Sequence, residues 1–244
     1  TTVRGRALKD TRRQIQMVFQ DPFASLNPRM SIGRSIRDVL DIHHVGPRAQ
    51  RRAAVEKMLD AVGLGAASYD RYPHEFSGGQ RQRAGIARAL VISPKIVVCD
   101  EPVSALDVSV QSQILNILTA LKKDLGLSYL FIAHGLNVVR HLSDKVAVMY
   151  LGRFVETAPC DALFSEPRHP YTQALISSIP LPDPNRALGD RRIILDGDIP
   201  SPLNPPSGCA FHTRCRYTKD ICKKEPPPLT GDGGHLTACH FPFI

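Results

Sequence analysis

The chain has 244 residues, 43% hydrophobic and 22% charged, enough apolar material for one large domain or a domain with an appendage. Its formal net charge of +8 admits nucleic acid, an anionic membrane surface or a phosphate ligand as partner. No stretch approaches the ~18 consecutive apolar residues of a membrane-spanning helix, and no export signal is readable.

In chain order, Ile15 to Phe19 is a short apolar run that predicts a strand, closed by Gln20 and a turn-forming stretch, Asp21-Pro22, Ser25 and Asn27-Pro28. Ile32, Ile36, Val39 and Leu40 recur at helical spacing within 31–43. Val55, Met58, Leu59 and Val62 do the same within 49–62, with Gly63 as a stop. Ser77 is an N-cap for a helix running to about Ile92, ended by Pro94. Ile96 to Cys99 predicts a buried strand. A helical stripe follows from Val110 to Leu125, closed by Gly126, and then a second buried strand, Tyr129 to Ala133. Lys145–Tyr150 and Arg153–Glu156 flank Leu151-Gly152 as a hairpin. Alternating helices and continuous apolar strands predict an α/β fold with a parallel-strand core. Most of the 20 prolines lie at or after Pro159, which places a boundary near 156–160 and a softer one near 180–205.

The chemistry-bearing residues cluster at strand ends and helix starts. Asp100 and Glu101 end the strand KIVVCDEP, and two adjacent carboxylates there are costly unless a cation or water uses them. Asp100 suits Mg²⁺, which takes few carboxylates and keeps its waters, and Glu101 could polarise an attacking water. The plain alternative is a carboxylate pair that caps the next helix. In FSGGQRQR (76–83), Ser77, Gly78 and Gly79 open a helix whose free N–H groups and dipole favour an anion; here the plain alternative is a simple N-cap. Asp107 in SALDVS precedes the long helix, and His134 follows a third strand.

Taken together, Gln20, FSGGQRQR, VVCDEP, SALD and His134 resemble the ATP-binding subunits of ABC transporters: their Q-loop, signature, Walker B, D-loop and H-loop. The segments QDPFASLNPRM, CDEPVSALDVS, HPYTQALISSIP and SPLNPPSGC further resemble the dipeptide/oligopeptide importer branch. The resemblance implies an ABC-type nucleotide-binding domain over 1–156, with a helical subdomain at about 25–92, and a peptide-importer C-terminal region over 157–244. ATP and Mg²⁺ are the implied cofactors, Mg²⁺ on Asp100. Catalysis would fall to Glu101, His134 and Gln20. Ser77, Gly78, Gly79 and Gln80 would bind the nucleotide held by an opposite subunit, and Asp107 would lie at that interface. Implied partners are a second ATPase subunit, identical or not, transmembrane permease subunits, and indirectly a solute-binding protein, with no nucleic acid. The implied place is the cytoplasmic face of the membrane, and the implied cargo is peptide, or nickel as in close relatives.

Cys209-x5-Cys215-x6-Cys222-x16-Cys239 gathers four thiols in a proline-rich segment. Four cysteines can hold a [4Fe–4S] cluster or a tetrahedral Zn²⁺, or stay free; the resemblance favours the cluster.

The sequence departs from the family twice. Gly135 follows His134 where the family usually carries aspartate, and no G-x-x-x-x-G-K-[ST] loop occurs in the 244 residues. With Thr1 as first residue, the expectation is that this loop lies upstream, so that the chain alone hydrolyses no ATP and is poorly soluble. Two rival readings are a non-transport ABC protein of DNA repair or translation, and a partner that only lends its FSGGQ face.

Overall fold

The computed structural model describes residues 2–180 and 192–243. The described chain divides into two compact units at Gly135/Leu136. The boundary expected near 156–160 thus falls some twenty residues inside the second unit, because the 145–159 hairpin pairs with a strand near the C-terminus and, among the described residues, with no parallel strand. The softer boundary near 180–205 partly covers 181–191, outside the described residues.

The first unit opens with α1 (Gly5–Gln14), which runs straight into β1 (Ile15–Val18). The described residues between β1 and β2 carry helices and loops and no strand. They contain α2 (Pro22–Ser25), α3 (Ile32–His43), a 3-10 turn at Arg48–Gln50, α4 (Arg51–Ala61), two further 3-10 turns, and α5 (Gly78–Leu90). The helix expected over 49–62 is thus split, a 3-10 entry leading into α4. α3 buries Ile32, Ile36 and Leu40, and α4 buries Val55 and Leu59, as their spacing predicts. Ser31 caps α3 and Ser77 caps α5, each hydroxyl accepting from a backbone N–H three residues on. Gly33 lets α3 lie against the Tyr69 ring, where any Cβ would overlap.

β2 (Ile96–Asp100), α6 (Val108–Leu125) and β3 (Ser128–Ile132) complete the unit. The sheet is parallel, in the order β1-β2-β3, with Ile15 opposite Ile96 and Ile96 opposite Ser128. One face is packed: Val18, Val97 and Cys99 are buried, α5 packs on β1, and Tyr129 donates to the α6 carbonyl of Leu118. The other face, built from Ile15, Met17, Ile96, Leu130 and Ile132, is exposed, Leu130 by 57%.

The second unit begins with α7 (Leu136–Leu142) and the hairpin β4 (Lys145–Tyr150) and β5 (Arg153–Pro159). Leu151 (φ 45°) and Gly152 (φ 76°) make its two-residue turn, both left-handed, a conformation that matches strand twist. β5 runs three residues past the expected Glu156 because its end pairs with β4. Then follow α8 (Cys160–Ser165), α9 (Pro170–Ser177), α10 (Asp220–Lys224), β6 (Thr230–Asp232) and β7 (His235–Thr237). The sheet order is β4-β5-β7-β6, antiparallel throughout. Phe211 plugs its core, its ring 5.2 Å from Tyr150 and 5.4 Å from Tyr171. Glu156 is fully buried and accepts from the backbone N–H groups of Arg168 (2.7 Å) and His169 (2.9 Å), while His235 Nε2 lies 2.6 Å from its Oε1. A buried carboxylate is tolerable with that many partners.

Candidate active site

Parallel strands deliver their C-terminal ends to one edge of a sheet, and ligands of open α/β folds gather there. Gln20, Asp100-Glu101 and His134 lie at or just after the C-terminal ends of β1, β2 and β3. The geometry joins three of them. Gln20 Nε2 donates to Glu101 Oε2 at 2.9 Å, and His134 Nδ1 lies 3.3 Å from Glu101 Oε1. The Glu101 side chain is 26% exposed and His134 is 72% exposed, so a reactant can reach both. Asp100 is the last residue of β2, half-buried, opposite Ile132 in register.

Glu101 has φ +44°, in the left-handed region that costs a residue bearing a Cβ on the order of 1 kcal/mol. Its neighbours hold it there. Its N–H donates to the Ile132 carbonyl at 3.0 Å, and its own carbonyl accepts from Ser104 N–H (3.2 Å) and the Ser104 hydroxyl (3.1 Å). Strain of this kind persists where surrounding bonds over-determine it, commonly at functional positions.

A second group lies at two helix starts. Ser77 and Gln80 form a reciprocal capping box: Ser77 Oγ accepts from Gln80 N–H, and Gln80 Oε1 accepts from Ser77 N–H at 3.0 Å. Asp107 caps α6, accepting from Val110 N–H at 3.0 Å and from the Ser109 hydroxyl at 2.8 Å. The Val110 N–H, followed by the Ser109 hydroxyl, holds the Asp107 carboxyl below the usual carboxylate range. The plain cap roles of Ser77 and Asp107 are therefore both filled. The two helix starts abut. A Cβ on Gly79 would overlap Val110 Cγ1, and one on Gly78 would come within 3.5 Å of Leu106. Arg83 ties the helices further along, donating to Gln113 Oε1 at 2.7 Å. Gly79 thus brings the FSGGQ turn against the segment after Asp107. Nothing in the sequence marks the part played by Val110, which looks like one more apolar stripe residue.

Asp100 is a single carboxylate beside the Glu101 site, a donor set that suits Mg²⁺, which takes one or two carboxylates and completes its shell with water and phosphate oxygens. The four C-terminal cysteines line one cavity with Phe211, His212 and Tyr217. The thiols are free, and burial raises the Cys209 and Cys215 thiols and pushes Cys239 up to about 11. The cavity is about 20 Å³, on the order of one water position, and among the described residues no three potential ligands are placed to hold an ion. The expected [4Fe–4S] centre and its zinc alternative therefore lack geometric support. The thiols line this cavity without the spacing of ion ligands.

Residues 1–104 match the ABC transporter family, and residues 155–222 match the family described as the oligopeptide/dipeptide transporter, C-terminal region. The chain is 51% identical over 233 residues to the oligopeptide transport ATP-binding protein AppF of Bacillus subtilis, a match that covers 95% of this chain and 71% of that protein. It is 52% identical to the oligopeptide transport ATP-binding protein OppF of Haemophilus influenzae, covering 95% of this chain and 70% of the relative. Among solved structures it is similar to CbiO1 of Clostridium perfringens, described as part of the ABC transporter complex CbiONQ. The identity is 29% and the TM-score 0.60, over 66% of this chain and 64% of that one.

Proposed function

The chain belongs to the oligopeptide-type ATP-binding subunits of ABC transporters, an ATPase family, and on that premise we propose that it powers peptide import by hydrolysing ATP. The observation that carries this reading is the Glu101 carboxylate held by Gln20 on one oxygen and His134 near the other. Glu101 polarises the water that attacks the γ-phosphorus of ATP. The water oxygen forms the new P–O bond, the bond to the β–γ bridging oxygen breaks, ADP leaves, and the water's proton passes through the Glu101 carboxylate. Gln20 and His134 hold Glu101 in one orientation, and His134, the more exposed, also contacts the γ-phosphate. Asp100 would hold Mg²⁺, which when bound would supply positive charge against the phosphates. Ser77 to Gln80 present backbone N–H groups to the nucleotide of a second ATPase subunit, with Asp107 at that interface.

In this reading the partners are that second subunit, a pair of permease subunits, and through them a solute-binding protein. The chain sits on the cytoplasmic face of the membrane. Among the described residues no helix is long and apolar enough to cross a membrane, which is consistent with that place. Peptide is favoured over nickel because the similar proteins are named for oligopeptide transport. The four cysteines carry no step of the reaction. Stoichiometric iron with acid-labile sulfide in anaerobically purified protein would reinstate the cluster, and zinc without iron its alternative. The function is tested by reconstituting the complete ATPase with its permease and solute-binding protein in vesicles. The expected result is peptide uptake that requires Mg-ATP; nickel uptake with no peptide uptake would redirect the reading.

A further inference from the structure

α2 is a single turn of four residues, Pro22–Ser25, too short to hold its own shape or place in water. It begins two residues after Gln20, whose amide must stay on Glu101. Two arginines of α5 fix it. The Arg81 guanidinium lies over the Phe23 ring, 3.6 Å from its centroid, and the Arg88 guanidinium donates to the Ser25 carbonyl. Arg81 is itself anchored, its Nε donating to the Pro73 carbonyl at 2.7 Å, and Arg88 is largely desolvated, which lowers its pKa. Phe23 is 61% exposed, so burial in a core does not hold it; the cation on its inner face does. Arg81 and Arg88 project from the helix whose first turn is Ser77–Gly79. One rigid element therefore fixes both the turn that faces the partner's nucleotide and the arm that carries Gln20.

We propose that Arg81 is a positioning residue for ATP hydrolysis, which through Phe23 holds α2 on α5 and so keeps Gln20 on Glu101, with Arg88 as the second fastener. The inference rests on the ATPase reading above. The Arg81 side chain meets the Pro73 carbonyl and the Phe23 ring, neither of them assigned to the nucleotide. Freeing α2 therefore leaves ATP affinity unchanged and slows turnover, because a displacement of about 1 Å at a catalytic contact can cost up to ~100-fold. The link also gives the segment after Gln20 a mechanical path to the FSGGQ turn through packed and charged contacts within the first unit.

The test is a double-mutant cycle in the complete ATPase assembled with its permease, read as peptide-stimulated hydrolysis. Arg81→Leu and Phe23→Leu should each lower kcat by about 3–10-fold with the KM for ATP within about twofold of wild type, and the double variant should be no slower than the slower single. Phe23→Tyr, which keeps the ring, should stay within about twofold of wild type. If Arg81→Leu fails to assemble, Arg81→Lys closes the cycle, with smaller losses and the same non-additivity. Losses that multiply in the double variant overturn the proposal, as do a raised KM at unchanged kcat or a Phe23→Tyr variant as slow as Phe23→Leu. A wild-type complex that hydrolyses no ATP overturns the ATPase reading and this inference with it, whereas an active wild type with multiplying losses overturns only the role of Arg81.

Discussion

At Glu101 backbone and side chain serve one end. The left-handed φ of +44° is unfavourable for glutamate, and the residue is kept there by Ile132 and Ser104 while its two carboxylate oxygens meet Gln20 and His134. That this pair carries chemistry could be read from two adjacent carboxylates after four apolar residues. The strained φ could not, since nothing in DEP demands it. Gly79 makes the same contrast. Its part in a phosphate-binding turn is suggested by FSGGQ, but its smallness has a further cause, Val110 of α6, which is 31 residues away in sequence. Gly79→Ala is expected to destabilise the first unit by about 1–3 kcal/mol despite alanine's better helix propensity, because overpacking outweighs the roughly 1 kcal/mol propensity gain. Adding Val110→Ala should recover most of that loss. Chemical denaturation of the two variants checks it, and an unrecovered loss would mean that the glycine is needed for something other than this contact.

Among the elements, α3, α4 and α6 were readable because each buries a stripe at helical spacing and begins or ends at a recognisable signal, and α5, buried on most sides, was readable from its Ser77 cap and the Pro94 stop. The three short parallel strands were readable as continuous apolar runs between turn signals. α2 was not, because one turn has no period. β7 was not, because its partner β5 is about 80 residues earlier and the pairing spans two residues. What holds β7 and α9 to β5 is Glu156, receiving His235 and the N–H groups before α9. His169 caps α9, its Nδ1 accepting from Tyr171 N–H, and burial lowers its pKa to about 4, against the opposing pull of Glu156. The folded form therefore binds fewer protons than the unfolded one between about 6.5 and 4. Stability from this group is complete above 6.5 and lost as pH falls towards 4, by up to roughly 3 kcal/mol. His169→Asn keeps an oxygen that can cap α9 and removes the titration. Unfolding free energies of both forms across this window should converge as pH falls; parallel curves would contradict the buried neutral imidazole.

At the scale of the whole chain, the packed sheet face and the exposed one carry different information. The packed face explains why β1, β2 and β3 form. The exposed face, with Met17, Leu130 and Ile132, leaves apolar surface of a kind that marks an interaction site or an aggregation hazard. Gln20 and Asp100-Glu101 lie at the end of that same sheet, and the 244 residues contain no phosphate-cradling G-x-x-x-x-G-K-[ST] loop. The 244-residue chain by itself is therefore expected to bind Mg-ATP no better than about millimolar, since two carboxylates face the polyanion with no lysine or consecutive N–H groups to offset them. Calorimetry checks this, and a micromolar affinity would mean that another part of the chain supplies the missing cradle. The order of motifs along the chain identified the family, because that order is specific. The four cysteines mark the limit of such reading: they line one cavity, but among the described residues no three potential ligands are placed to hold an ion, so the metal centre is unsupported.

On the proposed reading Glu101 polarises the attacking water while Gln20 and His134 hold it. The most direct measurement is single-turnover ATP hydrolysis by Glu101→Gln in the complete ATPase, assembled with its permease. Glutamine keeps the shape and can still meet Gln20 and His134, but it cannot take up the water's proton. ATP is expected to bind as in wild type and hydrolysis to slow by about 10²–10⁴-fold. Hydrolysis within about twofold of wild type, at unchanged ATP binding, would contradict it.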